Sequence, residues 1–202
     1  MDPTAPRSLL DRLKDGPDSP AWREFDRLYR PLLQHWVRPY LLQPADVDDL
    51  AQEVFVVVLN KLAGFVPTGP GAFRAWLRAI LAYRLQTFWR KKVRGHAVGA
   101  FDAMLAGLVD DSSDLARLWD LEHDRHVVGG LLKAVQPHFT ARTWQAFWRT
   151  TIGGEPAAAV GTALGLSPNA VFIARSRVLQ RLRTEAAGLV DDERSENDLG
   201  LK

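Results

Sequence analysis

The chain of 202 residues has no cysteine, which excludes a disulfide scaffold, a thiolate metal site and a cysteine nucleophile, and fits a reducing compartment. It has no long apolar run. The longest, Val54 to Leu59, is six residues, far short of the roughly twenty that a membrane helix needs, so no membrane insertion is expected. The opening residues MDPTAPRSLL carry an acid at position 2 and no apolar core, so no signal peptide is expected and the location read from sequence is cytoplasmic. Catalytic signatures are missing too: there is no G-x-x-x-x-G-K phosphate loop, no G-x-S-x-G elbow and no credible pair of catalytic acids. The histidines His35, His96, His123, His126 and His138 fall in no metal-ligand spacing, and His123 and His126, at i and i+3, lack paired ligands. The sequence therefore reads as no enzyme, with no metal and no cofactor.

What is present is a balanced, core-forming composition, 47% hydrophobic and 25% charged, written almost entirely in helical periods. Trp22, Phe25, Tyr29, Leu32, Leu33, Trp36 and Tyr40 recur three and four apart, with Pro31 inside the pattern as an expected kink. A second helix is expected to start around Pro44 to Asp46, with Asp46, Asp48 and Asp49 placed at the positive end of its dipole. Its apolar set is Leu50, Val54, Phe55, Val58, Leu59 and Leu62. GFVPTGPG at 64–71 is too rich in Gly and Pro to continue it and reads as a loop. A third helix follows from about Ala72 to Arg94, with Phe73, Trp76, Leu77, Ile80, Leu81, Leu85 and Phe88 as its buried side.

The net charge is only +2, but its distribution is uneven. Between Phe73 and Arg94 stand seven bases and no acid, interleaved with Trp76, Tyr83, Phe88 and Trp89, the composition of a helix that tracks phosphates and stacks on bases. Between Phe101 and His126 stand seven acids against Arg117 and Arg125, a net charge of −5. This stretch reads as a linker with weak helical pieces between two domains. PADVDDLAQEVF is acidic with no base beside it in sequence, and Asp49, Gln52 and Glu53 share one helix face, which suits docking on a basic protein surface.

The C-terminal half predicts short helices at about Val127–Gln136, Ala141–Thr151, Pro156–Leu164 and Pro168–Ala187, then a polar tail at 191–202. EPAAAVGTALGLSPNAVFIARSRVLQRLR gives a helix, a turn at Gly165-Leu166-Ser167 and a longer helix, with Ser167 as N-cap and Pro168 at its first position. Gly161 sits mid-helix, as a close helix crossing would require. Val171, Ala174, Val178 and Leu182 form a buried stripe, and Asn169, Ile173, Ser176, Arg177, Gln180 and Arg183 then point outward, toward a major groove. This is a helix-turn-helix.

Taken in order, the acidic helix, Gly/Pro loop, basic aromatic helix, acidic linker and helix-turn-helix resemble the extracytoplasmic-function sigma factors of bacterial RNA polymerase, within the sigma-70 superfamily. DDLAQEVF, FRAWLRAI and GLSPNAVFIARSRVLQRLR are similar to that family's region-two helices and region-four recognition helix, and the resemblance spans roughly residues 20 to 190. It implies an all-α chain of two small domains: 1–95 for polymerase docking and the minus-ten element, an acidic linker at 96–126, and a helix-turn-helix domain at 127–190 for the minus-thirty-five element. Its partners would be the clamp coiled coil and flap of core polymerase and promoter DNA, duplex and single-stranded, with an anti-sigma factor as a candidate further partner.

Carried over by position, Asp49, Gln52 and Glu53 match the clamp-docking patch. The loop with Phe65 and Thr68 matches the segment that captures a flipped base, and Arg74, Arg78, Tyr83, Arg84 and Trp89 would hold the opened strand. Asn169, Phe172, Ile173, Ser176, Arg177, Arg181 and Arg183 fall on the reader of the upstream element. The linker would thread the RNA-exit path, its charge mimicking RNA. Family members often have Lys-Ser-Arg where this chain has Phe172-Ile173-Ala174, and Asn where it has Tyr83. The alternative reading is a dimeric helix-turn-helix regulator acting without polymerase, which leaves the acidic patch and the third helix unexplained; a protein-interaction module without DNA is opposed by the two basic clusters.

Overall fold

Apolar side chains spaced three and four apart can be buried together only if the backbone is helical, and every regular element among the described residues is a helix. The structure is a computed structural model that describes residues 7–41, 43–92 and 98–190. In chain order the helices are α1 (Leu9–Leu13), α2 (Ala21–Val37), α3 (Pro44–Lys61), α4 (Ala72–Lys92), α5 (Val98–Val109), α6 (Asp114–Val135), α7 (Ala141–Thr151), α8 (Ala157–Leu164) and α9 (Pro168–Ala186). The all-α expectation holds. VFVVVL lies in α3, and α2 continues through Pro31. The chain divides into two compact units, Leu9–His126, and Val127 onward together with Arg7 and Ser8. The tail at 191–202 lies outside the described residues.

In the unit of residues 9–126, α2, α3 and α4 pack around an aromatic cluster. Phe25 stacks on Tyr29 with ring centroids 4.4 Å apart and meets Phe55 and Phe73 edge-on. Phe25, Tyr29, Leu33, Val54, Val58, Leu77, Leu81 and Leu85 are fully enclosed. Burial of each such side chain contributes about 1.5–3 kcal/mol before the entropy of ordering it is counted. Three positions depart from the periodicity: Leu59 is exposed, and Trp76 and Phe88 are only half-buried.

The acidic stretch is not a linker. It forms α5 and the first half of α6, and α5 packs along α4. Ser113 caps α6, its hydroxyl accepting from the Ala116 N–H at 2.9 Å. Trp119 is wholly buried, edge-on to Trp36 at 5.1 Å. A fully enclosed tryptophan and the cap fix this segment as part of the unit, so it is folded rather than an extended strand of RNA-like charge.

In the second unit, the helix-turn-helix is built as its local sequence dictates. Gly165 takes the left-handed conformation at φ 64°, closing α8, and the Leu166 N–H donates to the Gly161 carbonyl at 2.8 Å. Ser167 then caps α9, accepting from the Ala170 N–H at 3.1 Å. The two helices are bent 100° from one another, within the range of this motif. Ala146 of α7, Val160 of α8 and Val171 and Ala174 of α9 make the core, with Leu164 and Leu166 against it. The reason for Gly161 is not a helix crossing: a Cβ there would lie 2.7 Å from the Leu166 carbonyl oxygen of the turn.

Helix propensity alone predicts that Gly161→Ala stabilises this unit. The contact with the turn reverses the sign, and Gly161→Ala should cost about 1–3 kcal/mol by crowding backbone against backbone. Thermal melting of the variant beside the parent checks this; an equal or higher melting temperature would show that the turn has room to move.

Candidate nucleic-acid interface

The basic helix α4 is divided by burial. Arg74 and Arg78 lie at i and i+4 beside Leu77 and Leu81 and are 5% and 2% exposed. A guanidinium cannot leave water alone, and carboxylates accompany both. Arg74 Nη1 lies 3.2 Å from Asp124 Oδ2, and Arg74 Nε 3.1 Å from Asp120 Oδ2. Arg78 Nη1 donates to Asp120 Oδ1 at 2.8 Å and to the Ala116 carbonyl at 3.3 Å, while its Nη2 pairs with Asp111. The expectation that Arg74 and Arg78 face an opened DNA strand is corrected: both guanidiniums are buried and paired with acids of α6 and of the turn before it. In sequence those acids are 33 to 50 residues away, which is why the cluster on α4 looked free.

The network ends on a histidine. Asp124 Oδ1 accepts from His123 Nδ1 at 2.9 Å, and His123 Nε2 faces the Tyr29 hydroxyl at 3.2 Å. A carboxylate only accepts, so Nδ1 carries the proton and the Tyr29 hydroxyl donates to Nε2. Burial holds His123 below its ordinary value of 6.5 and so neutral, although Asp124 pulls the other way. The same burial, and the Asp124 charge, push the Tyr29 phenol well above its usual range. His123 and His126 are thus structural, His126 Nε2 lying 2.6 Å from the Leu28 carbonyl oxygen.

α4 leaves to solvent Tyr83, 63% exposed, with Arg84 partly open beside it, and Arg90, Lys91 and Lys92 at its end. Trp89 is half-buried against Phe101 at 5.3 Å, and Phe88 is covered by the Lys92 ammonium at 4.9 Å. Val93 and Arg94 of the basic RKKVR end lie outside the described residues. In the loop before α4, Phe65 is docked on Trp76 at 4.8 Å and on Phe73 at 5.8 Å, while Val66 and Thr68 are exposed. Gly71, at φ 70°, ends the loop directly over Arg74: a Cβ there would lie 2.8 Å from Nη2. The loop thus passes close over the buried network.

On α3, Asp49, Gln52 and Glu53 are all exposed on one face, as the spacing predicts. The fold brings bases near this face that the local sequence does not contain. Arg30 Nη2 donates to Gln52 Oε1 at 3.0 Å, Arg84 lies 3.8 Å from Glu53, and Lys92 pairs with Asp46. These are exposed or half-exposed pairs of small net energy, readily exchanged for a partner's cations.

On α9 the wheel holds. Val171, Ala174, Val178 and Leu182 are buried, and Asn169, Phe172, Ile173, Ser176, Arg177 and Arg183 are exposed. Arg181 is half-exposed and pairs with Glu185 at 2.7 Å, so the first acid after the basic run already has a partner.

Residues 25–95 match the family model of sigma-70 region 2, a span that runs from Phe25 of α2 through α3 and α4. The match supports a sigma-70 family member. It points to an RNA polymerase sigma factor in general, acting in transcription initiation, and implies association with the polymerase core and promoter DNA. No curated protein and no solved structure matches the chain. Among the described residues, no single helix is long and apolar enough to cross a membrane. The region-2 span thus takes in the α3 face, the loop at 65–71 and α4, and it ends before the acids that hold Arg74 and Arg78.

Sequence reasoning missed Asp111, Asp120 and Asp124 as partners of α4, and His123 as the partner of Tyr29. The signal for their helix was nevertheless present: Ser113 followed by Asp114 is an N-cap and a first-turn acid. Asp124→Asn, which leaves Arg74 short of one buried counter-charge, should destabilise by about 3–5 kcal/mol in denaturant titrations. His123 titrates at its ordinary value when unfolded and lower when folded, so the unfolded chain takes the proton first. Stability should therefore fall as pH drops below about 6.5, and His123→Gln should flatten that part of the profile; a slope equal to the parent's would show that His123 does not supply it.

Proposed function

We propose that this chain is an extracytoplasmic-function sigma factor that selects promoters for bacterial core RNA polymerase and helps open them, without catalysis of its own. The observation that carries the reading is the succession of a region-2 match over α2 to α4 and, in the same chain, a capped helix-turn-helix whose second helix exposes a polar and basic face. A regulator acting without polymerase would need only the second of these.

In this reading the face of Asp49, Gln52 and Glu53 docks on the clamp coiled coil, its carboxylates exchanging weak internal partners for the basic surface of the polymerase. The groove of about 500 Å³ lined by Leu132, Lys133, Trp144 and Trp148 is a candidate seat for the polymerase flap. The opened minus-ten strand would meet Thr68 and the loop backbone, Tyr83 as a stacking platform, and Arg84 as a phosphate contact, with Phe65 and Trp89 supporting from partly buried positions. Arg74 and Arg78 contribute by fixing the loop and α4 rather than by touching DNA. Asn169, Ser176 and Arg177 would read base edges of the upstream element, and Arg181 and Arg183 its phosphates.

The deciding experiment adds the purified chain to bacterial core polymerase and asks for promoter-specific transcription. Asp49→Lys with Glu53→Lys should abolish core binding while melting stays near the parent's, since both side chains are exposed; unchanged affinity for the core would remove α3 from the interface. On single-stranded minus-ten DNA, Arg84→Ala should weaken binding and reduce the salt slope by about 0.7, the value for one phosphate contact on a single strand. Tyr83→Ala should weaken binding with the slope unchanged. Equal slopes for Arg84→Ala and the parent would exclude the phosphate contact.

A further inference from the structure

The first two turns of α9 carry two apolar side chains that folding does not account for. Phe172 and Ile173 are 55% and 51% exposed, while Val171 and Ala174 on either side of them supply the helix's contact with the core. Single exposed apolar residues are ordinary. Two adjacent ones, set between Asn169 one turn before and Ser176 and Arg177 one turn after, lie within the face that would enter a groove.

We propose that Phe172 and Ile173 read thymine methyl groups in the major groove of duplex DNA, an inference that rests on the reading of α9 as the duplex-facing helix. The occupant follows from what the groove offers. Every base pair presents hydrogen-bond donors or acceptors there, but thymine alone of the four bases adds an apolar group, its C5 methyl. An apolar side chain pressed on N7, O6 or N4 removes their water and returns no hydrogen bond, which is unfavourable. The same side chain on a methyl buries apolar surface on both partners and is favourable. The pair therefore discriminates with a defined sign, for thymine and against guanine and cytosine.

Charge and geometry favour duplex DNA as the occupant. Arg175, Arg177, Arg181 and Arg183 accompany the two residues along α9 with no acid before Glu185, matching a polyanion. Ser167 caps the helix start, and the 100° bend between α8 and α9 is that of a helix-turn-helix, whose second helix enters a groove. Ile173 is β-branched and has few rotamers to lose on contact.

The test offers the full chain, assembled with bacterial core polymerase, two random duplex pools: one containing thymine and one with deoxyuridine in its place, which differs only by the methyl. The expected outcome is an enriched element containing thymine that binds about fourfold more weakly for each contacted methyl when rebuilt with deoxyuridine, the effect of one buried methyl-sized group. Phe172→Ala and Ile173→Ala should each narrow that gap while keeping the parent's melting temperature, because neither side chain is in the core. An enriched element without thymine, or one bound equally with thymine and deoxyuridine, overturns the methyl reading and leaves duplex recognition standing. Absence of any sequence preference in both pools overturns the assignment of α9 as reader, and the methyl reading with it.

Discussion

Two arginines on one helix have been taken out of water, and much of the first unit is arranged around that fact. Arg74 and Arg78 can be buried only with carboxylates against them, and Asp111, Asp120 and Asp124 come from α6 and the turn before it. These ion pairs tie α6 to α4, and α6 also sets Trp119 against Trp36 and His123 at Tyr29 of α2. Gly71 belongs to the same arrangement, because only a residue without a side chain can pass so close over the Arg74 guanidinium. Remove one charge and the others become a liability, since an unpaired buried ion costs far more than the pair gains.

That constraint reshapes the functional reading of α4. A helix of seven bases and no acid looks uniformly adapted to nucleic acid, yet its first turns are structural and only its middle and end face solvent. The opposite correction applies to α3. Its acids look isolated in sequence, but Arg30, Arg84 and Lys92 arrive from neighbouring helices and soften the local field. Both surfaces are therefore less extreme in charge than their sequences, and both keep a smaller exposed set, Asp49, Gln52 and Glu53 on one and Tyr83, Arg84 and the Arg90–Lys92 end on the other.

The second unit depends on local rules instead. Gly165 ends one helix, Ser167 begins the next, and Gly161 lets the turn fold back on α8, all within seven residues. Such a motif has no distant partner to find, so the exposed face of α9 follows directly from its buried stripe. That face carries the exposed apolar pair Phe172 and Ile173.

The sequence by itself determined the all-helical class, the start of α3 within Pro44 to Asp46 and of α4 near Ala72, the bounds of α7, the helix-turn-helix with its Ser167 cap, and the exposed faces of α3 and α9. These rest on periodicity and capping, which act over three or four residues and so can be read from neighbours in the chain. Only the tertiary structure decided that the acidic segment folds as α5 and the start of α6, that Arg74 and Arg78 are interior, and that His123 is a neutral buried acceptor of the Tyr29 hydroxyl. Each of those depends on charges up to 50 residues apart and on a histidine 94 residues from its tyrosine. Local patterning shows that a charge exists, but whether it faces water or a counter-charge is settled by packing, because the cost of desolvating it depends on what the rest of the chain brings against it.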